Sequence, residues 1–425
     1  MFKHIDNLKY KFIIDPAKFY FALRPRHRRF GPAPPLDSAI WCILEDENQL
    51  PMKRSITLVL FFISLYYITF AQNPADFTGA ATPNGFSVLR GINVSHWLSQ
   101  VSNGHPIKYD DQDATWLAAM GFDNVRLPID EVELWDSTGA PIEPNWAILY
   151  RGIDASIKHH LKAVIDLHIV RAHYFNAAHE GRSNPLFTDT TAQRKFYGLW
   201  QQLSARLGHY ADDQVAYEIL NEPVAKDPAQ WNVVMNHAYK TIRDLEPRRT
   251  IVIGSNMWQS AATFPALDVP AHDPNIILSF HCYLPMLITH YKASWVPTAA
   301  YDGPVKYPGV PVDSSYAASH YPAGLVTAIR NMGGFRDWDR DAIAKTVAIA
   351  VQRAKQLGLP IQCGEFGCLP AAGRTIRLQY YRDMMSIFKQ YNIAFASWDN
   401  HGGFSVVENE NLHPDLELIS IITGK

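Results

Sequence analysis

The chain has 425 residues, with Lys+Arg 39 against Asp+Glu 41 and a formal net charge of -2. That balance, without a long basic or acidic tract, argues against a polyanion-seeking surface and so against nucleic acid as a partner. The length exceeds a typical single core but suits the larger barrels, and 11 Trp, 20 Tyr and 21 Phe supply rings beyond ordinary packing needs, suited to stacking on sugar faces.

The first readable segment is a targeting signal. Lys53 and Arg54 precede an apolar run over 56–70, then the small residue Ala71 and Gln72. This reads as a secretory signal peptide over 52–71, shorter than the roughly 20 residues of a membrane-spanning helix. Met52 stands directly before the charged flank, so translation is expected to start there. The stretch 1–51 has neither sustained periodicity nor capping signals and reads as a doubtful leader. A secreted or periplasmic product is favoured, with no stable membrane association after signal cleavage and 72–425 as a single catalytic domain; the alternative is that the segment stays uncleaved as an anchor.

From residue 84 onward, short apolar runs alternate with amphipathic stretches. Strands are predicted at 87–93, 123–127, 163–168, 215–221, 250–254, 276–281, 360–365 and 393–398, and helices at 113–120, 146–160, 191–210, 228–245, 339–357, 374–390 and 415–422. Only the fifth unit has a weak helix. Eight strands with helices between them imply a closed (β/α)8 TIM barrel, an α/β fold with right-handed crossovers. The segment 283–337, rich in Pro, Gly and aromatics, has little periodicity and reads as a long loop after strand six. It leaves the strand's C-terminal end, where barrel enzymes carry their sites, and is expected to wall the substrate cleft. Cys282, Cys363 and Cys368 follow the signal segment, an odd count that favours free buried thiols over a disulfide, although export would permit a Cys282–Cys368 bridge.

Polar side chains at the predicted strand ends form one set: Arg126 on strand two, His168 on three, Asn221 and Glu222 on four, His281 and Tyr283 on six, Glu365 on seven and Trp398 on eight. Each alone is explained as well by packing; eight from six strands are not. A carboxylate is costly to bury without a partner, and Glu222 and Glu365 both end buried runs. Two carboxylates facing a sugar are the chemistry of glycoside hydrolysis. Glu222 would be the general acid/base, needing a raised pKa, and Glu365 the nucleophile, kept ionised by Arg126 and Tyr283. Asn221 would hold the sugar 2-hydroxyl, His168 and His281 would orient, and Trp398 would floor the reacting sugar.

The ordered series Arg90-Gly-Ile-Asn93, Asn124-Val-Arg-Leu-Pro-Ile129, Asp166-Leu-His168, Asn221-Glu-Pro223, His281-Cys-Tyr283, Gly364-Glu-Phe-Gly367 and Ser397-Trp-Asp399 resembles glycoside hydrolase family 5, the cellulase-like enzymes, over about residues 88–400. The resemblance implies retention of configuration through a glycosyl-enzyme intermediate, without cofactor or metal. Ile169 stands where the family often has a second histidine, which affects a subsite contact. Ile288-Thr-His-Tyr291, Ala293-Ser-Trp295 and Val305-Lys-Tyr-Pro-Gly309 resemble bacterial endoglucanase-like members, so a β-linked glucan polysaccharide or oligosaccharide is the expected partner and a monomer the expected state.

Trp97, Trp258, Trp295 and Trp338 are candidate sugar platforms, each equally explained by packing. Asn93-Val-Ser95 fits a glycosylation sequon, yet at the end of strand one it reads better as a site residue. The alternatives are a β-mannanase or β-1,3-glucanase on the same scaffold and a non-catalytic carbohydrate-binding barrel. A metal hydrolase using His96, His159, His160, His168 or His281 is a third reading, weakened because His159 and His160 are adjacent on a helix and are expected to be solvated.

Overall fold

Eight parallel strands form a closed barrel in the computed structural model, which describes residues 77–101, 108–177, 183–408 and 413–425. The predicted signal segment 52–71 and the stretch 1–51 lie outside the described residues. Strands β1 (Arg90–Asn93), β2 (Asn124–Asp130), β3 (Lys162–Ile169), β4 (Val215–Glu218), β5 (Thr250–Gly254), β6 (Ile276–His281), β7 (Ile361–Phe366) and β8 (Ala394–Ser397) pair in sequence order. β8 closes on β1, with Ala396 opposite Gly91. A Cβ at Gly91 would lie 2.2 Å from Asn124 Oδ1 and 2.8 Å from Phe395 O, so glycine permits the close approach at that seam. The expected (β/α)8 TIM barrel is the observed fold.

Around the strands pack α1 (Asp111–Met120), α2 (Glu143–Lys158), α3 (Thr190–Leu207), α4 (Pro228–Leu245), α5 (Arg340–Leu357), α6 (Arg374–Tyr391) and α7 (Leu416–Thr423). Their starts are chemically marked. Asp110 and Asp227 each complete a capping box, satisfying amide groups that the first turn leaves free. On α4, Trp231, Val234, Met235, Ala238 and Ile242 recur at helical spacing and are buried.

The strands differ from their predicted bounds where tertiary contacts take over. The predicted strand 87–93 divides: Ser87–Val88 pairs antiparallel with Ala80–Ala81, and only the remainder enters the barrel. β2 continues through Pro128 to Asp130, in register with β3 as far as Ile129 and shifted by a bulge at Asp130. β4 stops at Glu218, so Asn221 and Glu222 lie past the strand, and Trp398 lies one residue past β8. The fifth unit has only an irregular turn, Asn256–Gln259, and a 3-10 segment, Ala261–Ala266, before the next strand.

The segment 283–337 corrects the expectation of a structureless loop. It contains helices Met286–Thr289, Ser314–His320 and Ala323–Asn331, and Tyr291, Tyr301, Tyr307, Val312, Ala317 and Ile329 join the main core. Its apolar residues are spread over helices too short to show a period, so the sequence conceals them.

The N-terminal end of the barrel is filled by the small hairpin. Ala80, Phe86 and Val88 cluster with Val164, Ala216, Val252, Ile277 and Ala394 from the first residues of five strands. Cys282, Cys363 and Cys368 are buried free thiols, so no Cys282–Cys368 bridge forms. Among the described residues no helix is long and apolar enough to cross a membrane.

Candidate active site

At the opposite end of the barrel the strand ends gather around one guanidinium. Arg126, 1% exposed, donates from Nε to Glu218 Oε2 at 2.7 Å and from Nη1 to Glu365 Oε1 at 2.8 Å and Asn93 Oδ1 at 2.9 Å. Its Nη2 donates to Asn221 Oδ1 at 2.9 Å and pairs with Asp166 Oδ2 at 2.9 Å. A buried charge of this kind is tolerated only with such complete pairing. The alternation of β2 aims Arg126 inward between β3, β4 and β7, and the short strands bring their carboxylates to one level.

Glu365, on β7, also accepts a hydrogen bond from Tyr283 Oη at 3.0 Å. Glu222 takes a different position. Its φ of 44° bends the chain immediately past Asn221, and its Oε1 lies 2.9 Å from His281 Nδ1, which is also 3.6 Å from Glu365 Oε2. One oxygen of Glu222, one of Glu365 and a ring nitrogen of His281 all lie within 4.8 Å of one another.

The electrostatics separate the two carboxyls. Burial, then the charge of Glu365, raises the Glu222 pKa well above the ordinary carboxylate range. Burial pushes Glu365 upward too, but Arg126 and the Tyr283 hydroxyl oppose it, so the proton shared by the pair favours Glu222. Burial, with Arg126 nearby, holds His281 well below its usual value and therefore neutral. His168 is likewise neutral, its pKa lowered to about 4 chiefly by burial, with Nδ1 2.7 Å from Asp166 Oδ2. Its ring stacks on Trp398, centroids 5.7 Å apart and planes 9° apart.

All eight residues proposed from sequence are therefore at one end of the barrel, linked by direct contacts. Three further residues complete the network: Glu218, Asp166 and Gln259. Glu218 and Asp166 are charges inside apolar strands, the same signal that exposed Glu222, and each is fully buried. Gln259, on the irregular turn after β5, carries no sequence signal. It is fully buried, donating to Glu218 Oε1 at 3.0 Å and accepting from the Glu222 amide at 3.0 Å.

Asn93 is fully buried, its amide donating to the Gly364, Ala396 and Ser397 carbonyls, which fits a site position and not a surface glycan. Trp97 and Trp338 are core residues, whereas Trp258 and Trp295 are 39% and 50% exposed. His160 is exposed as expected, but His159 is half-buried and contacts Asp111 and Thr115.

The model of the cellulase family, glycosyl hydrolase family 5, matches residues 80–403. Endoglucanase C of Acetivibrio thermocellus is 29% identical over 350 residues, 80% of this chain and 99% of that protein. Cellodextrinase A of Ruminococcus flavefaciens is 27% identical over 314 residues, 72% and 84% of the two chains. Among solved structures, Thermotoga maritima Cel5A in complex with cellobiose superposes with a TM-score of 0.64 at 22% identity, covering 79% of this chain and 97% of that one. The same enzyme in complex with a mannotriose substrate gives a TM-score of 0.63 at 22% identity, with the same coverage.

Proposed function

The chain belongs to glycosyl hydrolase family 5 and is a glycoside hydrolase; from that premise we propose that it cleaves β-linked glucan with retention of configuration, using Glu365 as nucleophile and Glu222 as acid/base. In the first step a Glu365 oxygen attacks the anomeric carbon while Glu222 gives its proton to the departing glycosidic oxygen. In the second, Glu222, now ionised, takes a proton from water, whose oxygen displaces Glu365 and regenerates both carboxyls.

The observation that carries this reading is the spacing. A retaining pair stands about 5–5.5 Å apart and an inverting pair about 6.5–9.5 Å, because the latter must admit a water; here one oxygen of each carboxylate lies within 4.8 Å. Arg126 and Tyr283 stabilise the ionised nucleophile. Asn221, with Oδ1 occupied by Arg126, has its amide nitrogen for the 2-hydroxyl, and Trp398, oriented by the His168 ring stacked on it, forms the floor beneath the sugar. NMR of the first product tests the mechanism: the β-anomer is expected, and an initial α-anomer would exclude it.

β-Glucan is favoured over mannan or a β-1,3-glucan by the names of the endoglucanase and cellodextrinase relatives. The mannotriose complex of a structural neighbour keeps mannan on the test panel. Release of reducing sugar is expected to be fastest on cellulosic or mixed-linkage glucan. Binding to all of them with turnover of none would instead indicate a carbohydrate-binding barrel. Glu222, His281 and Glu365 are also spaced to hold a divalent ion; full activity after dialysis against EDTA is expected for the two-carboxylate mechanism. The proposal extends to export after cleavage of 52–71, leaving a monomeric domain from residue 72. The mass of the exported protein and its light scattering test both points.

A further inference from the structure

The turn after β5 holds the chain after β4 at three successive points. Asn256 Oδ1 accepts from the Ala225 amide at 2.8 Å and its Nδ2 donates to the Ala225 carbonyl at 2.9 Å. The Trp258 amide donates to the Pro223 carbonyl at 3.3 Å. Gln259 Oε1 then accepts from the amide of Glu222 itself at 3.0 Å, while Gln259 Nε2 donates to Glu218 Oε1, which also accepts from Arg126.

These contacts form one continuous chain. It runs from Glu365 through Arg126, Glu218 and Gln259 to the backbone of Glu222, buried at every contact but the last, which is part-buried. The turn is shaped for it: Met257, Trp258 and Gln259 have φ of 54°, 58° and 51°, a conformation that non-glycine residues rarely adopt and that persists where surroundings over-determine it. Glu222, at φ 44°, shares that conformation on the other side of the contact. Space is also reserved for the side chain: a Cβ at Gly254 would lie 2.3 Å from Gln259 Nε2 and 2.5 Å from its Cδ.

We infer that Gln259 is a positioning residue for proton transfer: it fixes the backbone of Glu222 relative to Glu365, so that the carboxyl meets the departing oxygen. This rests on the proposed role of Glu222 as acid/base. Gln259 touches no reacting atom. Its loss lets the Glu222 carboxyl move off the line of proton delivery, and a displacement of about 1 Å in such a group is enough to cost on the order of 100-fold.

The consequence is selective, because protonation matters only when the leaving group needs it. Phenyl β-cellobioside needs it; dinitrophenyl β-cellobioside does not. In Gln259→Met, close in size but without either hydrogen bond, kcat/KM for the phenyl substrate is expected to fall roughly 30- to 100-fold, and initial release of dinitrophenolate, read in single turnover, by less than about 3-fold. Gln259→Glu keeps an acceptor for the Glu222 amide and, while protonated, a donor to Glu218, so it is expected to recover phenyl activity at acid pH and to lose it as the new carboxyl ionises against Glu218. Gly254→Ala, which pushes Gln259 aside, is expected to reproduce the Gln259→Met pattern.

The ratio of the two substrates is measured in one preparation, so partial unfolding cancels. An equal loss on both substrates in Gln259→Met, or no loss on either, overturns the inference. Glu222→Ala is the reference. If it lacks the leaving-group signature, the assignment of Glu222 fails; if it shows the signature and Gln259→Met does not, only the role of Gln259 fails.

Discussion

The two ends of the barrel are built on opposite principles. At the N-terminal end, Phe86, Val88 and five strand residues meet without a charge among them. At the C-terminal end, Arg126 faces Glu365, Glu218 and Asp166 within hydrogen-bond distance. Apolar burial is non-directional and stabilises in proportion to area, about 25 cal/mol per Å². Buried ion pairs scarcely recover their desolvation cost, but they hold side chains to fixed geometry. One end therefore maintains the fold and the other spends stability on pre-organised chemistry.

The largest effects should come from the polar end. Glu365→Ala is expected to lower kcat on β-glucan by at least about 10⁴-fold in protein that remains folded, because Arg126 keeps Glu218 and Asp166 as partners. Glu222→Ala should cost about 10²–10⁴-fold on unactivated substrates, the range attributable to proton transfer. Substantial turnover by purified Glu365→Ala would break the division at once.

The apolar end should give the converse. Phe86→Ala removes a fully buried ring and is expected to cost about 3–5 kcal/mol in denaturant unfolding. The kcat/KM of the protein still folded should be unchanged, and a large kinetic defect there would show that the two ends are coupled.

Two pH effects sharpen the comparison. The proposed mechanism requires Glu222 protonated and Glu365 ionised. With Glu222 raised by burial and by its partner's charge, kcat/KM should form a bell whose alkaline limb moves in Glu222 variants. Stability responds differently. Burial raises Asp166 from 3.8 to about 7 against the opposing pull of Arg126, so the Arg126-paired carboxylate becomes the main form only above that pH and the fold favours the protonated form below it. Its contribution is complete below about pH 4 and is lost as pH rises through about 7. Asp166→Asn should flatten the fall in melting temperature across that window, the smallest effect of the set, whereas a steeper fall would contradict the assignment.

Much of this division was legible in the sequence, because strand ends and helix periodicity follow from local pattern, and the eight site residues are polar groups closing apolar runs. The parts that were hidden depend on tertiary contacts. The hairpin at 80–88 resembles an extension of β1 until its pairing is seen. The helices within 283–337 are too short to declare a period. Glu218 was visible as a charge inside a strand but overshadowed by Glu222 four residues later. Gln259 is an ordinary polar residue in an irregular turn, and its importance comes wholly from what folds against it.

The most direct test of the central claim is trapping with a 2-deoxy-2-fluoro-cellobioside carrying a good leaving group, followed by peptide mass mapping. The fluorine slows both steps, and the activated leaving group lets the first outrun the second. A covalent fluoro-cellobiosyl adduct on the peptide containing Glu365, absent in Glu365→Ala, is the expected result. An adduct on Glu222, or none in an enzyme that the same reagent inactivates, would contradict the account.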